Sequence, residues 1–353
     1  MEKHLIFFVH GMGTHDDTWH EKGVDVLRSV WNEYDQLSTD SFDDRIQTHA
    51  VIYNDVFETW RTRMAEDFNG FKAALQGADG GGLADEDTSN GDAVERKLDT
   101  IATWIGAADT PTFVWSHAMD VVLYRFFLTI RTAIDVSVIK QILQRLETRD
   151  YATWSICAHS LGTSVTHNAI NSLYGAGVGD VAPLDPVQMH PRMIAMVANV
   201  SRVLERPGAK VYTSRVKPGT PSQGATCSSY LNIRHKLDPF THPQPFDRDG
   251  WPDAVTASRR YRHIRPDHIG FSRDELMRVH DLDHYFQNPR VHVPFLRSVV
   301  GRFEITDDEL EREVMEFDAQ NAPAEQVRSR LEGLLPRANS PWSSIVDLIK
   351  RLG

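Results

Sequence analysis

Residues 154–170 read Trp154-Ser155-Ile156-Cys157-Ala158-His159-Ser160-Leu161-Gly162-Thr163-Ser164-Val165-Thr166-His167-Asn168-Ala169-Ile170. A β-type run from Tyr151 to Cys157 meets the pentapeptide Ala158 to Gly162, and a helix-capable run follows at once. The pattern is strand, sharp turn, helix, with a serine at the apex. Ala158 and Gly162 flank Ser160 at minus two and plus two, and both are small, as a close approach of strand and helix backbones requires. A side chain at such an apex projects from a strained backbone. The next amide opens a helix, where N–H groups lack intrahelical acceptors and are free to hold an oxyanion.

These residues resemble the nucleophile elbow of the α/β-hydrolases, G-x-S-x-G, with Ala158 in place of the first glycine. The variant A-H-S-x-G is similar to that of many bacterial lipases. Toward the N-terminus, Leu5 to Val9 is a continuous apolar run, as expected of a strand buried on both faces. It ends in His10-Gly11-Met12-Gly13-Thr14-His15, where glycines permit a tight turn that exposes backbone N–H groups. This segment resembles the H-G-x-G oxyanion loop of lipases and esterases, and Trp19 follows it as a Trp often does there. The resemblance implies that the Met12 and Leu161 amides form an oxyanion hole. His10, Gly11 and Gly13 would support the loop, His10 by hydrogen bonding and not as a base.

A serine hydroxyl needs a histidine to take its proton, and the histidine needs a carboxylate to fix its tautomer. In α/β-hydrolases the chain order is Ser, acid, His. Asp238 lies just past the strand-like run Tyr230 to Arg234 and directly before Pro239, a place that suits a loop at a strand's carboxyl end. Lipase-like hydrolases similarly carry Asp-Pro there. Asp247, Asp253 and Asp267 are rivals that lie farther from a strand end. Among sixteen histidines, context has to select the base. The segment His280-Asp281-Leu282-Asp283-His284-Tyr285-Phe286-Gln287-Asn288-Pro289 follows the last candidate strand, Tyr261 to Ile264. It resembles the H-x-Y-[WF]-x-N-P stretch near the catalytic histidine of lipase-like proteins, although Tyr285 here follows the histidine directly. His284 is the expected base, His280 the alternative, and Asp283 a candidate cap of the following helix. His242, His263 and His268 are read as surface or loop residues.

Composition fits this reading without selecting it. The chain has 353 residues, 25% charged and 41% hydrophobic, ordinary for a globular protein. A formal charge of −11 argues against a nucleic-acid groove and is compatible with a lipid or other ester substrate and transient contact with a membrane surface. The two cysteines, Cys157 and Cys227, make neither a disulfide framework nor, alone, a zinc site. The N-terminus reads as a strand and not a secretion signal, and the most apolar run, Val121 to Ile130, is broken by Arg125. The expected location is cytoplasmic, although a leaderless secretion route would use the same sequence.

No cofactor or metal is expected. His235, Asp238, His242 and Asp247 are irregularly spaced and interrupted by proline, unlike zinc ligands. A calcium loop starting at Asp85 has Asn90 where glycine belongs and Arg96 where the chelating Glu belongs.

Helical periodicity over Lys22 to Tyr34 followed by a strand over Arg45 to Tyr53 favours parallel pairing through a crossover. The expected fold is α/β, a mostly parallel central sheet flanked by helices, as the resemblance to the α/β-hydrolase fold implies, in one domain over residues 1–353. Residues 57–150 hold an insertion with a Gly/Asp-rich tract (Gly77 to Asp92) and helices over Asp99 to Ala107 and Met119 to Leu146, a candidate cap or lid. Met193 to Val200 is a further strand. Residues 291–353 turn helical over Pro294 to Val300, with Pro294 at a first helical position, then Asp307 to Phe317, Ala324 to Leu334 and Ser343 to Leu352. The expected function is a serine carboxylic-ester hydrolase working through an acyl-enzyme. A phospholipase-type toxin, another acyl hydrolase or transferase with the same triad, and an inactive binding module on this fold are the alternatives.

Overall fold

Leu5 to Val9 and Met193 to Val197 contain no polar residue, so neither face of these strands can meet water. A parallel sheet with helices on both faces satisfies that demand. The computed structural model describes residues 3–13, 15–60, 62, 120–121, 123–125, 127–205, 211–235, 238–241, 244–256, 259–266 and 280–321. Its strands are β1 (Lys3–Val9), β2 (Ile46–Val51), β3 (Tyr151–His159), β4 (Met193–Val197), β5 (Ser229–Ile233) and β6 (Tyr261–Ile264). They form one six-stranded sheet in the order β2-β1-β3-β4-β5-β6, and every pairing is parallel.

Alternate residues of each strand supply two cores. Leu5, Phe7 and Val9 face one core with Ile156, Ile194 and Tyr230. Ile6 and Phe8 face the other with Cys157, Ala195 and Leu231. The first core is covered by α2 (Leu128–Leu146) and α3 (Leu161–Leu173), the second by α1 (Glu21–Trp31), α4 (Leu282–Gln287) and α5 (Pro289–Val299). A further helix, α6 (Asp307–Asn321), packs on α5. No helix among the described residues is long and apolar enough to cross a membrane.

Three boundaries differ from the sequence reading, each for a local reason. The strand expected over Met193 to Val200 stops at Val197, because Ala198 takes a left-handed conformation at φ 51°. The helix expected to start at Pro294 starts at Pro289, which takes the first position, while Pro294 sits inside α5. Met119 to Leu146 was expected in the insertion. Its larger part, α2, is instead a layer of the core, with Ile130, Ile134, Val138 and Ile142 buried against the sheet and α3. The Gly77 to Asp92 tract, the Asp99 to Ala107 helix and the helices beyond Ala324 lie outside the described residues.

Because all strands run one way, their carboxyl ends share one edge of the sheet. Register aligns Val9 with Ala158, and Ala158 with Met196. The loops that follow β1, β3, β4 and β5 therefore leave side by side, where open α/β sheets gather their ligands.

Candidate active site

Ser160 sits between the last residue of β3 and the first of α3, at φ 55° and ψ −127°. A non-glycine residue at positive φ costs of order 1–3 kcal/mol, and the surroundings here enforce it. The Ser160 amide donates to the Val197 carbonyl of the neighbouring strand at 3.0 Å. The Thr163 hydroxyl donates to the Ser160 carbonyl at 2.6 Å and accepts from the Val200 amide at 3.1 Å. A Cβ on Gly162 would lie 2.2 Å from the His10 carbonyl oxygen, so α3 can pass this close to the end of β1 only without a side chain there. Leu161 opens α3, and its amide has no acceptor within its own helix. The Ser160 hydroxyl is buried and has no hydrogen-bond partner.

The loop after β1 presses on that serine, since a Cβ on Gly11 would lie 2.8 Å from the Ser160 Cβ. His10 is fully buried beneath the loop, its ring stacked on Tyr53 at 3.9 Å. The Tyr53 amide donates to His10 Nε2 at 3.1 Å, which places the proton on Nδ1, and Nδ1–H donates to the Gly11 carbonyl at 2.8 Å. Burial, and next the neighbouring His15, hold the His10 imidazole well below its ordinary pKa, so it stays neutral. The Tyr53 hydroxyl donates to the His10 carbonyl at 2.6 Å and reaches the Gly11 carbonyl at 3.2 Å. In a trans peptide the carbonyl and the following N–H point oppositely. With the Gly11 carbonyl held by His10 and Tyr53, the Met12 N–H points away from both. His15 Nε2 donates to the Met12 carbonyl at 2.8 Å, and the Gly13 amide, at φ 94°, donates to the buried Asp120 carboxylate at 2.9 Å.

Asp238, just past β5, is wholly buried. Its Oδ2 accepts from His280 Nδ1 at 2.8 Å and from the Tyr285 hydroxyl at 2.7 Å, and its Oδ1 accepts from the Phe240 amide at 3.0 Å. Burial by itself would raise the carboxyl pKa. The adjacent His280 ring and the three hydrogen bonds outweigh it and hold the group below its ordinary value, ionised. Tyr285 is pushed the other way, well above the usual phenol value by burial and then by Asp238, so it remains a donor. Its oxygen also accepts from the His235 amide at 3.1 Å.

The expected partnership of Asp238 with His284 is not formed; the histidine on Asp238 is His280. His284 lies within α4 and is buried. Its neighbour Asp283 lies 4.0 Å from Nε2, and an Asp281 carboxylate oxygen is within 4.8 Å of the ring as well. His284 lies inside the helix that starts at Leu282, whereas His280 precedes that helix and stacks on Phe240 at 3.7 Å. With Nδ1 donating to Asp238, His280 Nε2 carries the lone pair; it is buried and has no hydrogen-bond partner. Asp283 does not cap α4, whose N-cap is Asp281 without a side-chain capping bond. Asp281, Asp283 and His284 each place a ligand atom within 4.8 Å of the others, offering three ligands where a closed zinc site takes four.

The structure thus brings Ser160, Met12, Leu161, His10, Gly11, Gly13 and Asp238 to one edge, with His280 in place of His284. His15, Tyr53, Asp120, His159, Thr163 and Tyr285 also contribute bonds or ring contacts at this edge, and none of them is marked for that place in the sequence. Tyr285 stood inside a recognised segment, but nothing local linked it to an aspartate 47 positions away. Asp120 lies in a stretch read as insertion and carried no signal for the loop it holds.

A parallel α/β sheet with a buried serine, an Asp–His pair and a fixed glycine loop at its carboxyl edge is the class that fold and site define. No protein-family model, no curated protein and no solved structure matches the chain.

Proposed function

We propose that the chain is a serine hydrolase of the α/β-hydrolase type that cleaves carboxylic esters. One observation carries this: two polar atoms at the same sheet edge, Ser160 Oγ and His280 Nε2, are buried and unpartnered, while the rest of each residue is held by other bonds. Leaving buried polar groups unpaired costs about 1–3 kcal/mol each. Other buried atoms here also lack partners, His284 Nδ1 among them, but only Ser160 Oγ stands at a strained strand-to-helix turn and only His280 Nε2 belongs to a ring held by a buried aspartate. The chain order Ser160, Asp238, His280 and their places after β3, β5 and β6 support the same reading.

In this mechanism Ser160 Oγ attacks the ester carbonyl carbon while its proton passes to His280 Nε2. Asp238 keeps the imidazole in the Nδ1–H tautomer and stabilises the imidazolium. The Met12 and Leu161 amides receive the charge that develops on the carbonyl oxygen, a contribution worth roughly 100- to 1000-fold per donor. As the C–O bond of the ester breaks, His280 returns the proton to the leaving alcohol. Water, deprotonated by His280, then cleaves the acyl-enzyme and restores Ser160. The substrate class is an ester of a small molecule or lipid.

Intact mass after exposure to a fluorophosphonate tests this. The expected result is one adduct on the wild type and none on Ser160→Ala, with hydrolysis of p-nitrophenyl butyrate falling by at least ~1000-fold. A folded wild type that takes up no adduct, with or without detergent, overturns the assignment.

A further inference from the structure

Ser160 Oγ and His280 Nε2 are not hydrogen-bonded to each other in the structure, so His280 works as a general base only if its free nitrogen comes within reach of the nucleophile when substrate binds. Asp238 and Phe240 act on the His280 ring: one holds Nδ1, the other lies against the face. Neither fixes the backbone from which the ring hangs. That backbone is tied to the strand that carries the nucleophile. His159 is the last residue of β3, one position before Ser160. Its Nε2 lies 2.6 Å from the His280 carbonyl oxygen and must carry the proton, because a carbonyl only accepts. The two imidazole rings lie 4.8 Å apart, and the His159 ring stacks with Trp19 at 6.5 Å.

We propose that His159 is a positioning residue that sets the reach of His280 to Ser160. The inference rests on reading Ser160 and His280 as nucleophile and base. His159 and Ser160 are consecutive, so a bond from one to the carbonyl of His280 ties base to nucleophile through a single intervening peptide. With the His280 carbonyl held from β3 and its Nδ1 held from the loop after β5, the residue is fixed at one backbone and one ring atom, which narrows the arc its Nε2 can sweep toward Ser160. A histidine suits the task because it donates without bringing a charge: burial, then the neighbouring His280, push its pKa down to about 3. Lys or Arg would also donate, but would set a cation against an imidazole that has to accept a proton.

The test compares His159→Leu with His159→Gln, whose amide N–H reaches about as far as the imidazole Nε2. Wild type and Ser160→Ala are first labelled with a fluorophosphonate. A wild type without adduct fails at that step, and the positioning role falls with the hydrolase reading. With labelling in hand, H159L is expected to lower kcat on p-nitrophenyl butyrate by roughly 10- to 100-fold, the worth of one hydrogen bond in the transition state, with KM within about twofold. H159Q is expected to recover activity to within about threefold of wild type. Equal activity of the two variants, high or low, overturns the proposal, as does a loss carried by KM alone. If H159L does not fold, His159→Asn takes its place, its shorter amide leaving the His280 carbonyl unreached while preserving polarity.

Discussion

Asp238 shares its charge with three donors, and two of them meet on one oxygen, Oδ2. His280, which is bonded to it, and His284, which is not, therefore carry opposite predictions. His280→Gln is expected to lower kcat by at least ~1000-fold while barely moving the melting temperature. His284→Gln, buried in α4, is expected to lower the melting temperature and leave kcat within about threefold; the reverse pattern in paired assays and melts would reinstate His284. Tyr285→Phe keeps the ring and deletes a bond to the carboxylate. About a tenfold loss in kcat is expected, with the acid limb of the rate profile moving to higher pH as Asp238 loses a bond that keeps it ionised. An unmoved limb would reduce Tyr285 to packing. Ser160 and Asp238 were legible in the sequence because local signals mark them, small neighbours for one and a strand end with proline for the other. The histidine that Asp238 holds was not, because His280 and His284 share one segment and only the start of α4 separates their surroundings.

β1 and α3 pass close to each other, and Gly162 is the residue that lets them. Its missing side chain would meet the Val9 and His10 carbonyl oxygens at 2.5 and 2.2 Å, both rigid backbone. Gly162→Ala is expected to separate strand from helix and cost several kcal/mol, on the scale of ~1–3 kcal/mol for an overpacked core or more. Gly11→Ala would press on the Ser160 side chain instead, at 2.8 Å. Its expected effect is a large loss of activity with a smaller loss of stability, read by chemical denaturation beside the ester assay. If both variants lose activity and stability in step, the loop and the elbow are one structural unit. β1 and β4 were legible because continuous apolar runs admit few other readings. The role of α2 was not. Ile130, Ile134, Val138 and Ile142 make a stripe with a spacing of four, which is the same for a helix lying on a sheet and a helix covering a cleft.

Across the whole molecule, burial has taken histidines out of their ordinary range. His4 and His159 are lowered to about 3 and His292 to about 4, from 6.5, chiefly by desolvation. A neutral imidazole in the fold that protonates when released makes the unfolded state bind more protons below pH 6.5. Stability is therefore whole above that pH and falls as pH drops toward 4. Each such group costs about 1.4 kcal/mol by pH 5.5, roughly 4 kcal/mol for the three, a large part of a usual 5–15 kcal/mol. The urea midpoint is expected to fall clearly between pH 7.5 and 5.5; an unchanged midpoint would mean these rings are solvated. The strand order has a consequence for the making of the protein. β1 lies inside the sheet, and one of its neighbours is β3, with 149 positions separating His4 from Thr153. At about 5–20 residues per second, a ribosome takes on the order of ten seconds or more to deliver that partner. For that interval Leu5 to Val9, five apolar residues wholly buried in the finished fold, have at most β2 to pair with. The nascent chain spends it with that apolar strand open on one side, and the turn that carries Ser160 forms as β3 encloses it.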